Sequence, residues 1–295
     1  MNYDVIIIGA GPAGITSATI LKEKGYSVCI LESYMPGGKV NIAPRVDNFP
    51  GYTKISGPDL AMEFFKRMNN AKVMMISTKV IKVRKEDNIF VIETTRGIYA
   101  SKAVIVASGT DEKKLGLDNE RELLGHGLSY CAICDGHFFK NRKVMVVAED
   151  KYAINEAIYL AGLASKVTIL TSKDKLKGDK RSLDELSTFN NVEYIYERSV
   201  KALNGNPLGS VSLDTNETIE IDGIFPLLGY IPNTSFLDKS LLDEDGFVIV
   251  NKEYETIIPG LYAIGDVISR ELKQIYLATI DATKVVEIVD KQLQL

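Results

Sequence analysis

A glycine-rich turn close to the amino terminus constrains the fold of this chain more than any other feature. An apolar run over Tyr3–Ile8 predicts a buried strand, and a helical stretch follows and continues to Lys24. A second apolar run, Ser27–Leu31, ends at Glu32. Between the first strand and the helix lies the sequence Gly9-Ala10-Gly11-Pro12-Ala13-Gly14. This order of strand, G-x-G-x-x-G turn, helix and strand is typical of a Rossmann βαβ unit that binds a dinucleotide.

Each part of this pattern has a physical reason. Gly9, Gly11 and Gly14 allow a tight turn and close approach of the backbone to a pyrophosphate, which the amino terminus of the helix attracts. Glu32 lies 18 positions past Gly14 and can accept a hydrogen bond from a ribose hydroxyl. The glycine spacing alone would also fit an ordinary tight turn, but the flanking strands and helix favour nucleotide binding.

A second Rossmann-like pattern begins in the middle of the chain. It consists of a strand over Lys143–Val147, a helix around Ala153–Leu163 and a strand over Lys166–Thr171. Period-two alternation at Val80–Arg84 and Ile89–Glu93 predicts an antiparallel meander between the two patterns. At 295 residues the chain exceeds what one core usually organises. We therefore expect an α/β protein with two Rossmann-like domains, one discontinuous over 1–111 and 232–295 and the other inserted over 112–231.

The segment from Thr256 to Asp266 supports this discontinuous arrangement. Like the predicted strand Ala103–Ala107, it is apolar, and it ends in Gly265-Asp266 just before a predicted helix. Gly265 would allow close approach of a ligand, and Asp266 would accept a hydrogen bond from a ribityl hydroxyl at the strand end. A lone Gly-Asp pair is usually only a turn, so its weight comes from the match with the amino-terminal pattern.

Composition excludes several classes of partner. The net charge is −4, whereas a nucleic-acid-binding protein normally shows an excess of basic charge. No apolar stretch approaches the roughly 20 residues that a membrane-spanning helix needs. The chain begins directly with a predicted strand, without a basic and then apolar leader. We therefore expect a cytoplasmic protein with neither a nucleic-acid nor a membrane partner.

Two cysteines three positions apart carry the clearest chemical signal. A C-x-x-C pair such as Cys131 and Cys134 can close a small reactive disulfide or contribute half of a zinc site. Zinc would need about four ligands. The remaining candidates are only Cys29, His126 and His137, and there is no second C-x-x-C. The sequence therefore predicts a redox pair and no metal site.

Asp135 directly follows the second cysteine of the pair. A carboxylate there could carry a proton to or from a leaving thiolate. Alternatively, Asp135 is a turn or capping residue before Gly136. Cys29 lies within an apolar run, and we expect it to be an inert buried residue because free cysteine packs as a small hydrophobe.

Together these motifs resemble the low-molecular-weight thioredoxin reductase family over essentially the whole chain. Three further segments carry the resemblance: Gly37-Gly38, Val46-Asp47-Asn48-Phe49-Pro50-Gly51 and Gly229-Tyr230-Ile231-Pro232-Asn233. The resemblance implies a homodimer of the FAD- and NAD-linked reductase type, with an FAD domain split by an inserted pyridine-nucleotide-type domain. It also implies that Cys134 faces the flavin while Cys131 attacks thioredoxin.

The resemblance further implies which residues hold FAD. Lys273 stands where the family usually has an arginine, so its contact differs from the family pattern. The implied residues are Gly9, Gly11, Pro12, Ala13, Gly14, Glu32, Gly37, Gly38, Lys39, Asn48, Gly265, Asp266, Lys273, Gln274 and Ile275.

The inserted domain departs from the family pattern. Members that use NADPH have a glycine-rich turn after the strand that corresponds to Lys143–Val147, but here the turn Ala148–Ala153 contains no glycine. Its acidic residues Glu149 and Asp150 would also repel a pyrophosphate. The segment Thr171–Lys175 has no arginine to bind a 2′-phosphate by a bidentate contact. In these respects the sequence resembles the ferredoxin-dependent flavin thioredoxin reductases.

Basic residues crowd the same region and could steer an acidic ferredoxin. The alternative is an ordinary solvated face, since Asp174 and Asp179 dilute the charge. Two other functions remain open: an NAD(P)H-dependent reductase with a divergent nucleotide site, and a flavoprotein sensor without turnover. An exchange-competent C-x-x-C pair argues against the sensor. The basic residues are Lys166, Lys173, Lys175, Lys177, Lys180 and Arg181.

Overall fold

The computed structural model describes residues 2–149, 153–270 and 272–294. The chain divides into two compact units. The first comprises Met1–Asp111 together with Ile231–Leu295, and the second comprises Glu112–Tyr230. Ile231, which the sequence-based boundary assigned to the inserted domain, belongs to the first unit.

The helices and strands follow the chain in this order. The strands are β1 (Asn2–Ile8), β2 (Val28–Glu32), β3 (Met74–Ser77), β4 (Val80–Glu86), β5 (Ile89–Thr94), β6 (Gly97–Val106), β7 (Thr110–Glu112), β8 (Lys143–Ala148), β9 (Lys166–Leu170), β10 (Val192–Ile195), β11 (Val200–Asn204), β12 (Ser210–Leu213), β13 (Thr218–Glu220), β14 (Gly223–Leu227), β15 (Tyr230–Pro232) and β16 (Leu261–Ala263). The α-helices are α1 (Pro12–Glu23), α2 (Gly57–Asn70), α3 (Glu120–Leu123), α4 (Ala132–Asp135), α5 (Ala153–Ala161), α6 (Lys180–Leu186) and α7 (Ile275–Leu293).

The first unit is built on a seven-stranded sheet with the order β3-β2-β1-β6-β5-β4, and β16 pairs with β6. Strands β3, β2, β1, β6 and β16 are paired in parallel, whereas β4 and β5 add an antiparallel meander at one side. Parallel strands are covered on both faces, which is why β1 and β2 appear in the sequence as continuous apolar runs. The predicted α/β fold class is confirmed.

Helices cover one face of this sheet. Residues such as Val5 and Ile7 of β1 pack with Leu21 of α1 and Val285 of α7 in one core, while Ile6 contributes to a second core on the opposite face. This alternation follows from the period of two along a strand. Cys29 lies in the second core with no exposed surface, and burial raises the pKa of its thiol to about 11. The structure therefore agrees with an inert, packed Cys29.

Strand β6 is longer than the predicted Ala103–Ala107, because it begins at Gly97. Its first half pairs antiparallel with β5, and the stretch Ala100–Val106 pairs in parallel with β1. Its second half is buried except at Lys102. The apolar run therefore marked the buried carboxyl-terminal part of the strand, while the exposed and half-exposed residues at its beginning gave no comparable signal.

The second unit has a four-stranded parallel sheet with the order β10-β9-β8-β14, and a three-stranded antiparallel sheet with the order β11-β12-β13. Helix α5 packs on β8 and β9 through Ile154, Ala157 and Leu160, all of them buried. The pattern of β8, α5 and β9 is the predicted second Rossmann-like unit. Within the described ranges, no helix is long and apolar enough to cross a membrane.

Candidate functional site

The amino-terminal turn requires glycine at two positions for packing and leaves space at a third. Gly9 has φ +106°, and a Cβ there would lie 2.4 Å from the carbonyl oxygen of Ala107. A Cβ at Gly14 would lie 1.9 Å from the carbonyl oxygen of Gly9. At Gly11, by contrast, a Cβ would meet no atom within 4 Å. Gly11 is the N-cap of α1 and provides no side-chain cap, so this helix end is open to a ligand.

The end of β2 lies against the same turn. Glu32 accepts hydrogen bonds from the backbone N–H of Ala10, at 2.6 Å to Oε2, and from that of Tyr34, at 2.7 Å to Oε1. The N–H of Gly37 donates to the carbonyl oxygen of Ala10 at 2.7 Å. A Cβ at Gly38 would lie 3.4 Å from Cα of Gly11. The structure therefore brings the predicted Glu32 and Gly37-Gly38 to the glycine turn.

The carboxyl-terminal Gly-Asp motif meets the turn from another direction. Gly265 has φ +73°, and a Cβ there would lie 3.2 Å from Cβ of Ala13. Oδ2 of Asp266 lies 3.4 Å from Nζ of Lys39, which donates a hydrogen bond to Oγ1 of Thr110 at 3.1 Å. Segments more than 200 positions apart in sequence thus form one cradle of glycine backbone and paired charges. Such a cradle fits the pyrophosphate and sugar of FAD.

The remaining predicted FAD residues occupy different environments. Nζ of Lys273 donates to the carbonyl oxygen of Asp266 at 2.8 Å and to that of Ile268 at 3.4 Å, so it holds the backbone of the Gly-Asp turn. Gln274 is the N-cap of α7 and Ile275 is its first residue. Asn48 is exposed in the loop after Val46. Direct contacts with the cradle are therefore seen for Lys273 but not for Asn48.

The C-x-x-C motif forms a disulfide in the second unit. Cys131 and Cys134 are bonded, with their Cα atoms 5.3 Å apart. Cys131 is the N-cap of α4, and its Sγ accepts a hydrogen bond from the N–H of Cys134 at 3.1 Å. Both cysteines are half-buried. The pair thus closes one short helical turn and keeps partial access to solvent.

Two side chains that the sequence did not single out, Ser129 and Glu156, support this turn. Ser129 donates its hydroxyl to Oδ2 of Asp135 at 2.6 Å, and its Oγ accepts from the N–H of Cys131 at 3.1 Å. Oε2 of Glu156 on α5 accepts from the N–H of Ala132 at 2.5 Å. Asp135 is therefore connected through Ser129 to the backbone of the first cysteine. This places the predicted proton carrier in the same hydrogen-bonded turn as the disulfide.

A buried carboxylate fixes the segment that leads into the motif. Glu120 accepts backbone hydrogen bonds from Leu115, Gly116 and Leu117, and it also accepts the hydroxyl of Tyr130 at 2.7 Å. Burial, and then the contact with Glu120, raises the pKa of the Tyr130 phenol well above its usual value. Tyr130 therefore stays a neutral donor and anchors the residue next to Cys131.

At the edge of the parallel sheet where a nucleotide would bind, a protein carboxylate takes two hydrogen-bond donors. Oε1 of Glu149 accepts hydrogen bonds from the N–H of Ser172 at 2.5 Å and from the hydroxyl of Thr171 at 3.3 Å. These donors follow β9, where a Rossmann fold contacts the ribose. In the glycine-free turn Ala148–Ala153, positions 150–152 lie outside the described residues, so the prediction about Asp150 has no structural counterpart.

The basic residues of this region are not all available to a partner. Lys166 pairs with Glu193 at 2.8 Å. Asp179 is the N-cap of α6, and its carboxylate accepts a hydrogen bond from the N–H of Ser182 at 3.0 Å. The exposed basic side chains are Lys173, Lys175, Lys177, Lys180 and Arg181. In the part of the chain that the structure describes, no group of three or more His, Cys, Asp or Glu side chains could hold a metal ion.

A glycine cradle on one Rossmann unit and a C-x-x-C disulfide on a second define the class of flavin-linked disulfide oxidoreductases. Residues 3–282 match the family model of the pyridine nucleotide-disulphide oxidoreductases. A thioredoxin reductase of Listeria innocua is 36% identical over 95% of this chain and 90% of that protein. The chain belongs to this family and, within it, to the low-molecular-weight thioredoxin reductases. Its cofactor is FAD, as predicted.

Solved structures agree with this assignment. The thioredoxin reductase of Streptococcus pyogenes superimposes with a TM-score of 0.93 at 34% identity, covering 99% of this chain and 98% of that one. A ferredoxin-flavin thioredoxin reductase of Clostridium acetobutylicum gives a TM-score of 0.56 at 30% identity, covering 99% and 98%.

Proposed function

We propose that this chain reduces the disulfide of thioredoxin through bound FAD and the Cys131–Cys134 pair. The observation that carries the proposal is the half-buried disulfide, which is held in a hydrogen-bonded turn together with Asp135. When bound, FAD supplies a centre that can accept electrons singly and pass on a pair. Two electrons together with two protons would convert the Cys131–Cys134 disulfide to two thiols.

The exchange with thioredoxin then balances without a further reactant. The Cys131 thiolate bonds to one sulfur of the thioredoxin disulfide, and the other thioredoxin sulfur leaves as a thiolate and takes a proton. Cys134 next attacks Sγ of Cys131, which restores the Cys131–Cys134 disulfide and releases the second thioredoxin thiolate. Asp135 is the proposed carrier of protons to and from these sulfurs, with Ser129 orienting its carboxylate.

For the electron donor we propose reduced ferredoxin. The position of Glu149 supports this choice, because its carboxylate takes up donors at Ser172 and Thr171 that a bound nucleotide would need. Two ferredoxins would each give one electron, and two protons from solvent complete the reduction of one thioredoxin disulfide. Ferredoxins near about −400 mV and thioredoxin near about −270 mV leave roughly 130 mV, or about 6 kcal/mol for two electrons.

The comparisons favour the alternative donor, NAD(P)H. The matching family is named for pyridine nucleotides, and the Streptococcus pyogenes enzyme, whose name gives no ferredoxin, superimposes better than the ferredoxin-flavin enzyme. The local geometry at Glu149 and the global similarity therefore support different donors. Either donor would deliver its electrons through the same FAD and the same disulfide. The choice of donor therefore does not affect the proposed exchange with thioredoxin.

One experiment separates the two donors. The purified holoprotein is mixed anaerobically with NADPH, NADH or reduced ferredoxin, and the bleaching of the flavin is followed together with the appearance of thioredoxin thiols. We expect ferredoxin to bleach the flavin and to produce thioredoxin thiols, and both nucleotides to react negligibly. Fast bleaching by micromolar NADPH would replace ferredoxin with the nucleotide. A flavin that is reduced without thioredoxin thiols would refute the thioredoxin reductase activity.

We also propose that the protein is a cytoplasmic homodimer. Exposed apolar side chains on the first unit, such as Ile257 and Ile280, are consistent with a surface that another copy covers. Sedimentation of the holoprotein at micromolar concentration measures the assembly state, and a monomer across that range would refute the dimer.

A further inference from the structure

The hydrogen bonding of the first-unit sheet stops just before the Gly-Asp turn. The N–H of Ile264 still donates to the carbonyl oxygen of Val106 on β6, at 3.0 Å. The next N–H, that of Gly265, leaves the sheet and donates instead to Oδ2 of Asp281 on α7, also at 3.0 Å. A buried N–H needs a partner, and here a side chain from a helix takes over where the ladder ends.

Asp281 is itself held from two other sides. The hydroxyl of Tyr254 donates to its Oδ1 at 2.9 Å, and Arg270 forms an ion pair with its Oδ2. Only 5% of Asp281 is exposed. Its neighbours along the same helix face, Ala278 and Val285, pack in the apolar core. A charged residue at such a position is costly unless it is paired, and these contacts pair it.

The turn that Asp281 holds has little freedom of its own. Gly265 adopts φ +73° and lies close to Ala13 of the glycine cradle. Lys273 holds the carbonyl oxygen of Asp266, so the two-residue turn is bound at its first N–H and at its last carbonyl. The orientation of Asp266 relative to the cradle therefore depends on both contacts.

We propose that Asp281 is a positioning residue for the flavin, which fixes the Gly265-Asp266 turn by its hydrogen bond to the Gly265 N–H. It does so without contacting the cofactor. Tyr254 and Arg270 hold its carboxylate in the required direction. This inference rests on FAD binding and not on the identity of the donor or of the reduced protein.

Helix α7 offers a matched control for this role. Asp290 lies on the same helix and has a similar set of partners: the hydroxyl of Tyr26 donates to its Oδ1 at 2.6 Å, and Nζ of Lys24 donates to its Oδ2 at 2.7 Å. These contacts do not involve the Gly265-Asp266 turn. Asp281→Asn and Asp290→Asn therefore remove equivalent charges, and only the first should affect the flavin.

The test measures release of FAD from the oxidised holoprotein after dilution, by the rise of free flavin fluorescence, with no electron donor present. The asparagine oxygen can still accept from the Gly265 N–H, but without the negative charge the hydrogen bond is weaker, which predicts that D281N releases FAD about tenfold faster than the wild type. D290N should release it at the wild-type rate, even if its melting temperature falls. The visible spectrum of the bound flavin should change in D281N only.

If D281N does not fold, a second pair of variants tests the same role of Asp281. Tyr254→Phe removes one donor to Asp281, and Tyr26→Phe removes the corresponding donor to Asp290. We expect faster FAD release from Y254F than from Y26F. Wild-type release from D281N, equal acceleration by D281N and D290N, or equal rates for the two tyrosine variants would each refute the positioning role. Because no donor or thioredoxin is present, none of these outcomes bears on the proposed reductase activity.

Discussion

Glu149 at the end of β8 and Ser172 after β9 are joined by a hydrogen bond of 2.5 Å between Oε1 and the backbone N–H. In a nucleotide-binding Rossmann unit this edge of the sheet presents glycine backbone and free donors to the cofactor. Here a carboxylate of the protein takes the donor, and its charge repels a phosphate.

Removing this carboxylate should improve nucleotide binding. We expect Glu149→Ala to bind NADPH about tenfold more tightly than the wild type, because the donors at Ser172 and Thr171 are freed and one repulsive charge is lost. Equilibrium dialysis measures the affinity. Flavin reduction by NADPH should nevertheless remain negligible, since the segment Thr171–Lys175 after β9 contains no arginine to bind the 2′-phosphate. Glu193→Ala removes a glutamate of the same sheet and is the control, because it should leave the affinity for NADPH unchanged. Equal NADPH affinity of the wild type and E149A would refute the role of Glu149.

The open space at Gly11 predicts a variant that folds but loses FAD. A Cβ at Gly11 meets no protein atom, so Gly11→Ala should keep its melting temperature while the methyl group obstructs the pyrophosphate. We expect the dissociation constant of FAD to rise by about tenfold or more, measured by flavin fluorescence. Gly209→Ala, at an equally open position in the second unit, is the control. If G11A binds FAD like the wild type, the turn does not hold the pyrophosphate.

The two cysteines of the pair should behave differently when each is replaced. Cys131→Ser leaves the thiol that is expected to face the flavin, so the visible flavin spectrum of this variant should be perturbed. Cys134→Ser should show no such perturbation but should trap a mixed disulfide with thioredoxin through Cys131, visible on a non-reducing gel. Cys29→Ser is the control, since a buried thiol with its pKa raised to about 11 stays protonated and unreactive. Identical behaviour of the first two variants would contradict the assigned roles.

We predict that ferredoxin docks on the exposed lysines that follow β9. Thioredoxin reduction driven by ferredoxin should slow as the ionic strength rises to 0.15 M, because the Debye length falls to about 8 Å. Charge reversal of Lys173, Lys175 and Lys177 should lower the rate at low salt by about tenfold. Reversal of three exposed lysines of the first unit provides the control: Lys54, Lys79 and Lys252. Equal rates in both triple variants would exclude the patch as the dock without affecting the other proposals.

The local motifs of this protein were readable in the sequence because each is encoded by neighbouring residues. The turn Gly9–Gly14 must be glycine-rich to pack against Ala107, and buried parallel strands must be apolar on both faces. The spacing of Cys131 and Cys134 by itself allowed a disulfide. These features predicted the α/β fold class, a bound dinucleotide and the position of the disulfide, and the family resemblance that they carry implied FAD.

The supporting residues became visible only in the tertiary structure. Glu156 contacts Ala132, Glu149 contacts Ser172 and Asp281 contacts Gly265 across separations of 16 to 24 positions. A polar residue within an apolar helix face, as at Asp281, signals a buried partner but does not identify it. The identity of the partner depends on how helices and strand ends pack together, and neither hydrophobic period nor motif spacing determines that packing. The sequence by itself therefore predicted the cofactor and the cysteine pair, while the packing decided which carboxylates hydrogen-bond to the strand ends and turns of the two units.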